Sequence, residues 1–231
     1  LIPSEMFGTG TKRFATWYVG FVSNEITFAY TSHSKGAGQL TSNNWYKILS
    51  EPGVRIGRAT PAADPSGYQI LQMLKLANGY YHDPGLSAAV LKNSPNSLVA
   101  QVETSLTAAL QTGQIDYLAI YRSSAIEDHF RYLKLPNRIN LSDPAFARTY
   151  ATVTVTGPTG PTKGKPIIYA MTIPTNAPNP ALARKFIAFV IGPKGEAIMR
   201  ANGFVSVTPA LASSKAALPS SLRALTVPWH L

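Results

Sequence analysis

The apolar positions along the chain change their period several times, and each change marks an element. Val19 to Tyr30 (VGFVSNEITFAY) mixes β-branched and aromatic residues and predicts a strand with a break at Ser23-Asn24. A polar loop, Thr31 to Asn44, precedes a short helix at Trp45 to Leu49, stopped by Pro52-Gly53, and a short strand at Val54 to Ala59. Asp64-Pro65 then opens a helix, with Asp64 as cap and Pro65 at the first helical position. Ile70, Leu71, Met73, Leu74 and Ala77 follow at helical spacing, and Gly79 is the expected stop. His82 to Ser97 is rich in Pro, Asn and Ser and reads as loop.

A helix from Val99 or Glu103 to Gln111 ends at Gly113. Ile115 to Tyr121 (IDYLAIY) is a nearly continuous apolar run, the pattern of a buried parallel strand. Ser123 to Phe130 predicts a helix and Tyr132 to Leu135 a short strand. Tyr150 to Thr156 alternates Val with Thr, as a half-exposed strand does, and Pro166 to Ile173 predicts another, with Gly157 to Lys165 as the turn. Two helices are expected at Ala181 to Ile191 and Lys194 to Ala201, and a surface-wrapping tail from Ser213. No repeat and no long linker appears. The mixed order of strands and helices predicts α/β architecture, better as two lobes joined by crossover strands than as two sequential domains.

Composition narrows this. The 231 residues suffice for one large domain or two small lobes. The hydrophobic content of 45% excludes a disordered chain, and no apolar run is long enough to span a bilayer. The start, LIPSEMFGTG, is not a signal peptide. With no cysteine, the chain has no disulfide, no thiolate metal site and no Cys nucleophile. The net charge of +10 invites a nucleic-acid reading. Its distribution weakens it: residues 116–231 hold 13 basic and 5 acidic groups, but the basic ones are mostly single. A solvated basic surface, or a field that attracts small anions, fits better.

The chemistry-bearing positions are helix starts and hydroxyls. Asp64-Pro65-Ser66-Gly67-Tyr68 either is an ordinary capped helix start or holds an anion on backbone N–H groups, with a Ser66 hydroxyl donor and room for close approach at Gly67. Asp64 opposes simple anion binding, because a carboxylate repels an oxyanion; it fits only as a cap or as a ligand to the anion's central metal. Tyr121 ends a buried strand, where open α/β sheets place ligands, and Arg122 follows it. Glu103-Thr104 opens a further helix. Gly8 to Lys12 lacks the spacing of a phosphate loop, and the four histidines lack metal-ligand spacing. No acid, base or nucleophile is convincing, which favours a binder over an enzyme.

Several longer stretches carry a resemblance: RIGRATPAADPSGYQILQMLKLA (55–77), LQTGQIDYLAIYRSSA (110–125), INLSDPAFARTYATVTV (139–155) and GKPIIYAMTIPTNAPNPALARKFIAFVIGPKGEAIMRANGF (164–204). With SNEITFAYT (23–31) and NWYKIL (44–49) they cover most of residues 1–210. The chain resembles the tungstate/molybdate-binding proteins of ABC importers, the archaeal-type branch of the molybdate-binding family, within the type II periplasmic binding proteins. The resemblance implies a two-lobed Venus-flytrap α/β fold that captures an oxyanion, molybdate or tungstate, without catalysis or cofactor, and hands it to a membrane permease.

It further implies that Asp64 reaches the metal centre, that Ser66, Gly67 and Tyr68 line the same turn, that Tyr121 is the ligand-side tyrosine, and that Glu103 and Thr104 lie at helix-start amides. The expected partition is partial lobe one with a crossover strand in 1–40, lobe two in 41–150, and return strands with C-terminal helices in 151–231. A monomer in the periplasm or outside the cell is expected, with any membrane anchor in a segment before Leu1.

Two departures matter. Many members place a second metal-coordinating Glu where this chain has Ile120, which puts six-coordinate binding in doubt. The stretch LIPSEM resembles a segment after the family's second anion-binding serine, so the first strands of lobe one are expected upstream. The competing expectation is a basic protein- or nucleic-acid-interaction module on a truncated binding-protein scaffold.

Overall fold

The computed structural model describes residues 14–229. The chain divides into two compact units, Asn24–Ile167 and a second made of the described residues up to Ser23 together with those from Ile168 onward. The predicted break at Ser23-Asn24 is this border: β1 (Val19–Ser23) and β2 (Ile26–Tyr30) enter different sheets. Gly8 to Lys12 and His230 lie outside the described residues. No helix among the described residues is long and apolar enough to cross a membrane.

In the unit Asn24–Ile167, β2 joins β3 (Ile56–Ala59), β4 (Val99–Ala100), β5 (Tyr117–Tyr121) and β6 (Arg131–Tyr132) in the order β4-β3-β5-β2-β6. β3 runs parallel to β4 and β5, whereas β2 is antiparallel to β5 and β6. The apolar run of β5 is buried on both faces because the sheet is covered on both sides. Tyr117 and Ala119 join the large core, and Leu118 and Ile120 join a separate cluster with Ala29, Leu110 and Ala125.

Helix α1 (Trp45–Leu49) buries Trp45, Ile48 and Leu49. Helix α2 (Pro65–Tyr80) turns Ile70, Met73, Leu74 and Ala77 into the large core. Each fully buried large side chain there contributes about 1.5–3 kcal/mol. The loop expected at His82 to Ser97 contains α3 (Leu86–Lys92). Its Pro- and Asn-rich flanks mask a helix that buries Leu86 and Val90, one turn apart. The helix expected before Gln111 is split into a 3₁₀ turn, Glu103–Leu106, and α4 (Thr107–Gln111). Helix α5 (Arg122–Glu127) follows β5 directly, and β6 stops at Tyr132 although a strand was expected to Leu135.

Tyr150 belongs to α6 (Ala147–Tyr150), not to the strand expected there. A second Asp-Pro start explains this: Asp143 Oδ1 accepts from the Ala145 amide at 2.9 Å and starts a helical turn early. The strand begins at Thr154, as β7 (Thr154–Gly157), and pairs with β8 (Gly160–Lys163) inside the stretch read as a turn.

In the other unit, β1 lies between β9 (Ile168–Met171) and β10 (Val205–Ala212), antiparallel to both. Helices α7 (Pro180–Val190) and α8 (Pro193–Ala201) match the two expected amphipathic segments. The tail does more than wrap: α9 (Ser220–Arg223) is followed by β11 (Thr226–Pro228), which extends the sheet parallel to β10. Leu218 and Leu222 anchor it in a core with Trp17, Val19 and Ile187.

Candidate functional site

The predicted cap is present. Asp64 has extended backbone geometry, its Oδ1 accepts from the Ser66 amide at 2.8 Å, and Pro65 occupies the first helical position. Such a cap is worth about 1 kcal/mol. The Gly67 amide bonds the Asp64 carbonyl at 3.1 Å. These first donors of α2 are therefore satisfied inside the helix start.

Gly67 is required by packing. A Cβ there would lie 2.6 Å from the Thr60 carbonyl and 2.7 Å from the Ala59 oxygen, so the helix start presses on the end of β3. The Thr60 carbonyl accepts from the amides of Ala63 and Asp64, both at 3.2 Å, and so closes the connecting loop.

Glu103, 37 residues further along, completes the cluster. The Ser66 hydroxyl donates to Glu103 Oε2 at 2.8 Å. Asp64, Ser66 and Glu103 are all buried. Burial first, then the hydrogen bond and the charge of the Asp64 carboxyl, push the Glu103 carboxyl up to about 7, against the opposing bonds from backbone and Ser66. Near neutral pH this pair of acids thus shares its site with a proton, and neither acid takes part in an ion pair among the described residues. Burial and then the Asp64 charge also raise the half-buried Tyr68 phenol.

Tyr121 meets the same helix one turn on, where its hydroxyl donates to Gln69 Oε1 at 2.6 Å. Gln69 is a buried polar residue on the inward face of α2 and was absent from the expected set. Its signal was a polar side chain at a core-facing helical position, repeated at Gln72, whose amide donates to the Thr162 carbonyl. Thr104 lies beside Glu103 with its side chain exposed.

The structure thus brings Asp64, Ser66, Gly67 and Glu103 together and places Tyr68 and Tyr121 along the same helix. Ile120 packs in the apolar cluster with Ala29 and Leu118. Arg122 pairs with Glu25 at 3.4 Å and its amide donates to the Glu25 carbonyl. Ser123 Oγ accepts from Asn24 at 2.7 Å. No group of three or more potential metal-ligating side chains occurs among the described residues.

A buried acid pair without a cation does not by itself attract an oxyanion. A carboxylate oxygen can instead donate electrons to an electrophilic metal atom, and a protonated carboxyl can donate a hydrogen bond to an anionic oxygen. Both chemistries are within reach of Asp64 and Glu103.

The sequence profile of the bacterial extracellular solute-binding protein family matches residues 9–205, and the chain belongs to that family. It is 42% identical over 202 residues to an uncharacterized solute-binding protein of Petrotoga mobilis, covering 85% of this chain and 63% of that one. It is 35% identical over 235 residues to the molybdate/tungstate-binding protein of Pyrococcus abyssi, covering 92% and 67%. The chain therefore spans about two thirds of the length of these relatives. Its fold is similar to that of the periplasmic molybdate-binding protein of Azotobacter vinelandii, with a TM-score of 0.51 over 83% of this chain and 70% of that one, at 16% identity. The α/β solute-binding fold expected from the sequence is thereby established.

Proposed function

We propose that this chain is the ligand-capturing body of a solute-binding protein serving an ABC importer, and that its ligand is molybdate or tungstate. The observation that carries the proposal is the joining of Asp64, Ser66 and Glu103 at the start of α2, in a chain 35% identical to a molybdate/tungstate-binding protein. The cluster suits an oxyanion whose central atom is a metal. Asp64 approaches that atom, Ser66, Gly67 and Tyr68 surround it, and Tyr121 closes the far side from β5. Thr104 lies at the edge of the set. The two compact units are the two lobes, with Asn24–Ile167 as lobe two.

The protein works outside the cytoplasm, in the periplasm or beyond the cell, as a monomer, without catalysis, and passes its ligand to a membrane permease. The excess of basic residues in the second half of the chain raises the encounter rate of a dianion and does not mark a nucleic-acid site.

Isothermal titration of the protein with molybdate, tungstate, sulfate and phosphate tests this. Heat is expected with the first two and little with the others. Silence with all four overturns the oxyanion reading. Salt-sensitive binding to nucleic acid in its place would instead support the basic interaction module.

A further inference from the structure

The outer face of α2 carries a second feature, independent of the oxyanion reading. Towards the C-terminal end of the helix lies a half-open cavity of about 220 Å³, within the unit Asn24–Ile167. Its floor is apolar, with buried Leu76 and Ile139. Two cations, Lys75 and Arg138, stand in its wall, and no carboxylate lines it. Tyr80, Thr149 and Thr152 also line it.

What distinguishes these cations from ordinary solvated ones is how they are held. The Lys75 amine donates to the Thr154 carbonyl at 2.8 Å, and the Arg138 guanidinium lies 5.4 Å from the centre of the Phe146 ring. Both contacts orient a charge without neutralising it. Neither residue has an ion-pair partner among the described residues. Two oriented positive charges over an apolar floor match one ligand chemistry: a negative head on a short hydrocarbon stem. A tetrahedral inorganic anion would leave the floor unfilled.

We propose that this cavity is a second binding site, for a carboxylate carried on a short apolar stem. The stem packs on Leu76 and Ile139, and the carboxylate meets Lys75 and Arg138. A free dicarboxylic acid and a glutamate side chain offered by a partner protein share this chemistry.

Backbone amide NMR with glutarate tests the site. Clustered shifts are expected at Gly79, Tyr80, Thr149 and Thr152, with affinity falling as salt is added. Lys75→Met or Arg138→Met should each weaken binding about two- to fivefold, the range of exposed charge pairs. The response to tungstate should stay unchanged in both. Equal shifts with uncharged glutaramide, or shifts that persist in the double variant, overturn the proposal. A blocked Gly-Glu-Gly peptide distinguishes the sources. Tighter binding of glutarate assigns the site to a free acid, tighter binding of the peptide assigns it to a protein partner, and no binding of either overturns it.

Discussion

One helix presents two opposite electrostatic solutions. At its start, α2 buries Asp64 beside Glu103, with the Ser66 amide donating to Asp64 and the Ser66 hydroxyl to Glu103. About three turns later, its outer face holds Lys75 beside a cavity with Arg138 and no acid. The first place is buried, and its polar groups bond one another. The second is open, and its charges are oriented but unspent. The acidic cluster suits an anion only through a metal centre or a retained proton, while the basic cavity suits a plain carboxylate.

A pair of glycines on the same helix separates the two places most strongly. Gly67→Ala forces a methyl into the Thr60 carbonyl and should cost about 1–3 kcal/mol. At about 2–4 °C per kcal/mol, the melting midpoint should fall by several degrees. Gly79, by the basic cavity, has nothing within 4 Å of the same methyl. Gly79→Ala should raise stability by up to about 1 kcal/mol, because alanine favours the helix. Calorimetric melts that shift both variants in the same direction would remove the contrast.

A smaller effect separates the two places by pH. Glu103 is raised from 4.5 to about 7, so the folded chain holds a proton that the unfolded chain releases within that window. The stabilisation is complete below about 4.5 and is lost as pH rises towards about 7, with no further change above. Glu25, also raised by burial, adds to the slope in the same direction. The difference between wild type and Glu103→Gln isolates the Glu103 part: the variant should melt with a flatter pH dependence between these limits. Lys75→Met should keep the wild-type slope. Identical slopes for wild type and Glu103→Gln would show that the carboxyl carries no such proton.

The smallest expected change is at the far end of the cluster. Tyr121→Phe removes one hydrogen bond to Gln69 and should cost about 0.5–1.5 kcal/mol, read in a urea midpoint. An unchanged midpoint would detach Tyr121 from the helix start.

Local chemistry explains what the sequence made legible. Asp64-Pro65 announces its helix because cap and first turn lie within four residues. The apolar run at 115–121 announces a buried strand in the same way. The contact between Ser66 and Glu103 spans 37 residues, and no pattern within either segment encodes it. Gln69 was overlooked because a polar residue on a helix reads as solvent-facing until the fold buries it. Helix α3 was hidden by the turn-forming residues that bound it on both sides. The last strand was hidden by an Ala/Ser/Pro-rich tail whose few large side chains, Leu218 and Leu222, supply the burial that holds it.

Whether Asp64 meets the metal centre of an oxyanion is decided by a titration of one variant. Asp64→Asn keeps a competent helix cap, so the fold should survive with an unchanged melt. It removes the anionic oxygen. Calorimetric titration with tungstate, wild type beside Asp64→Asn, should show binding weakened about tenfold or more, the scale of one lost interaction with a charged group. Equal affinity in the two proteins would contradict the account.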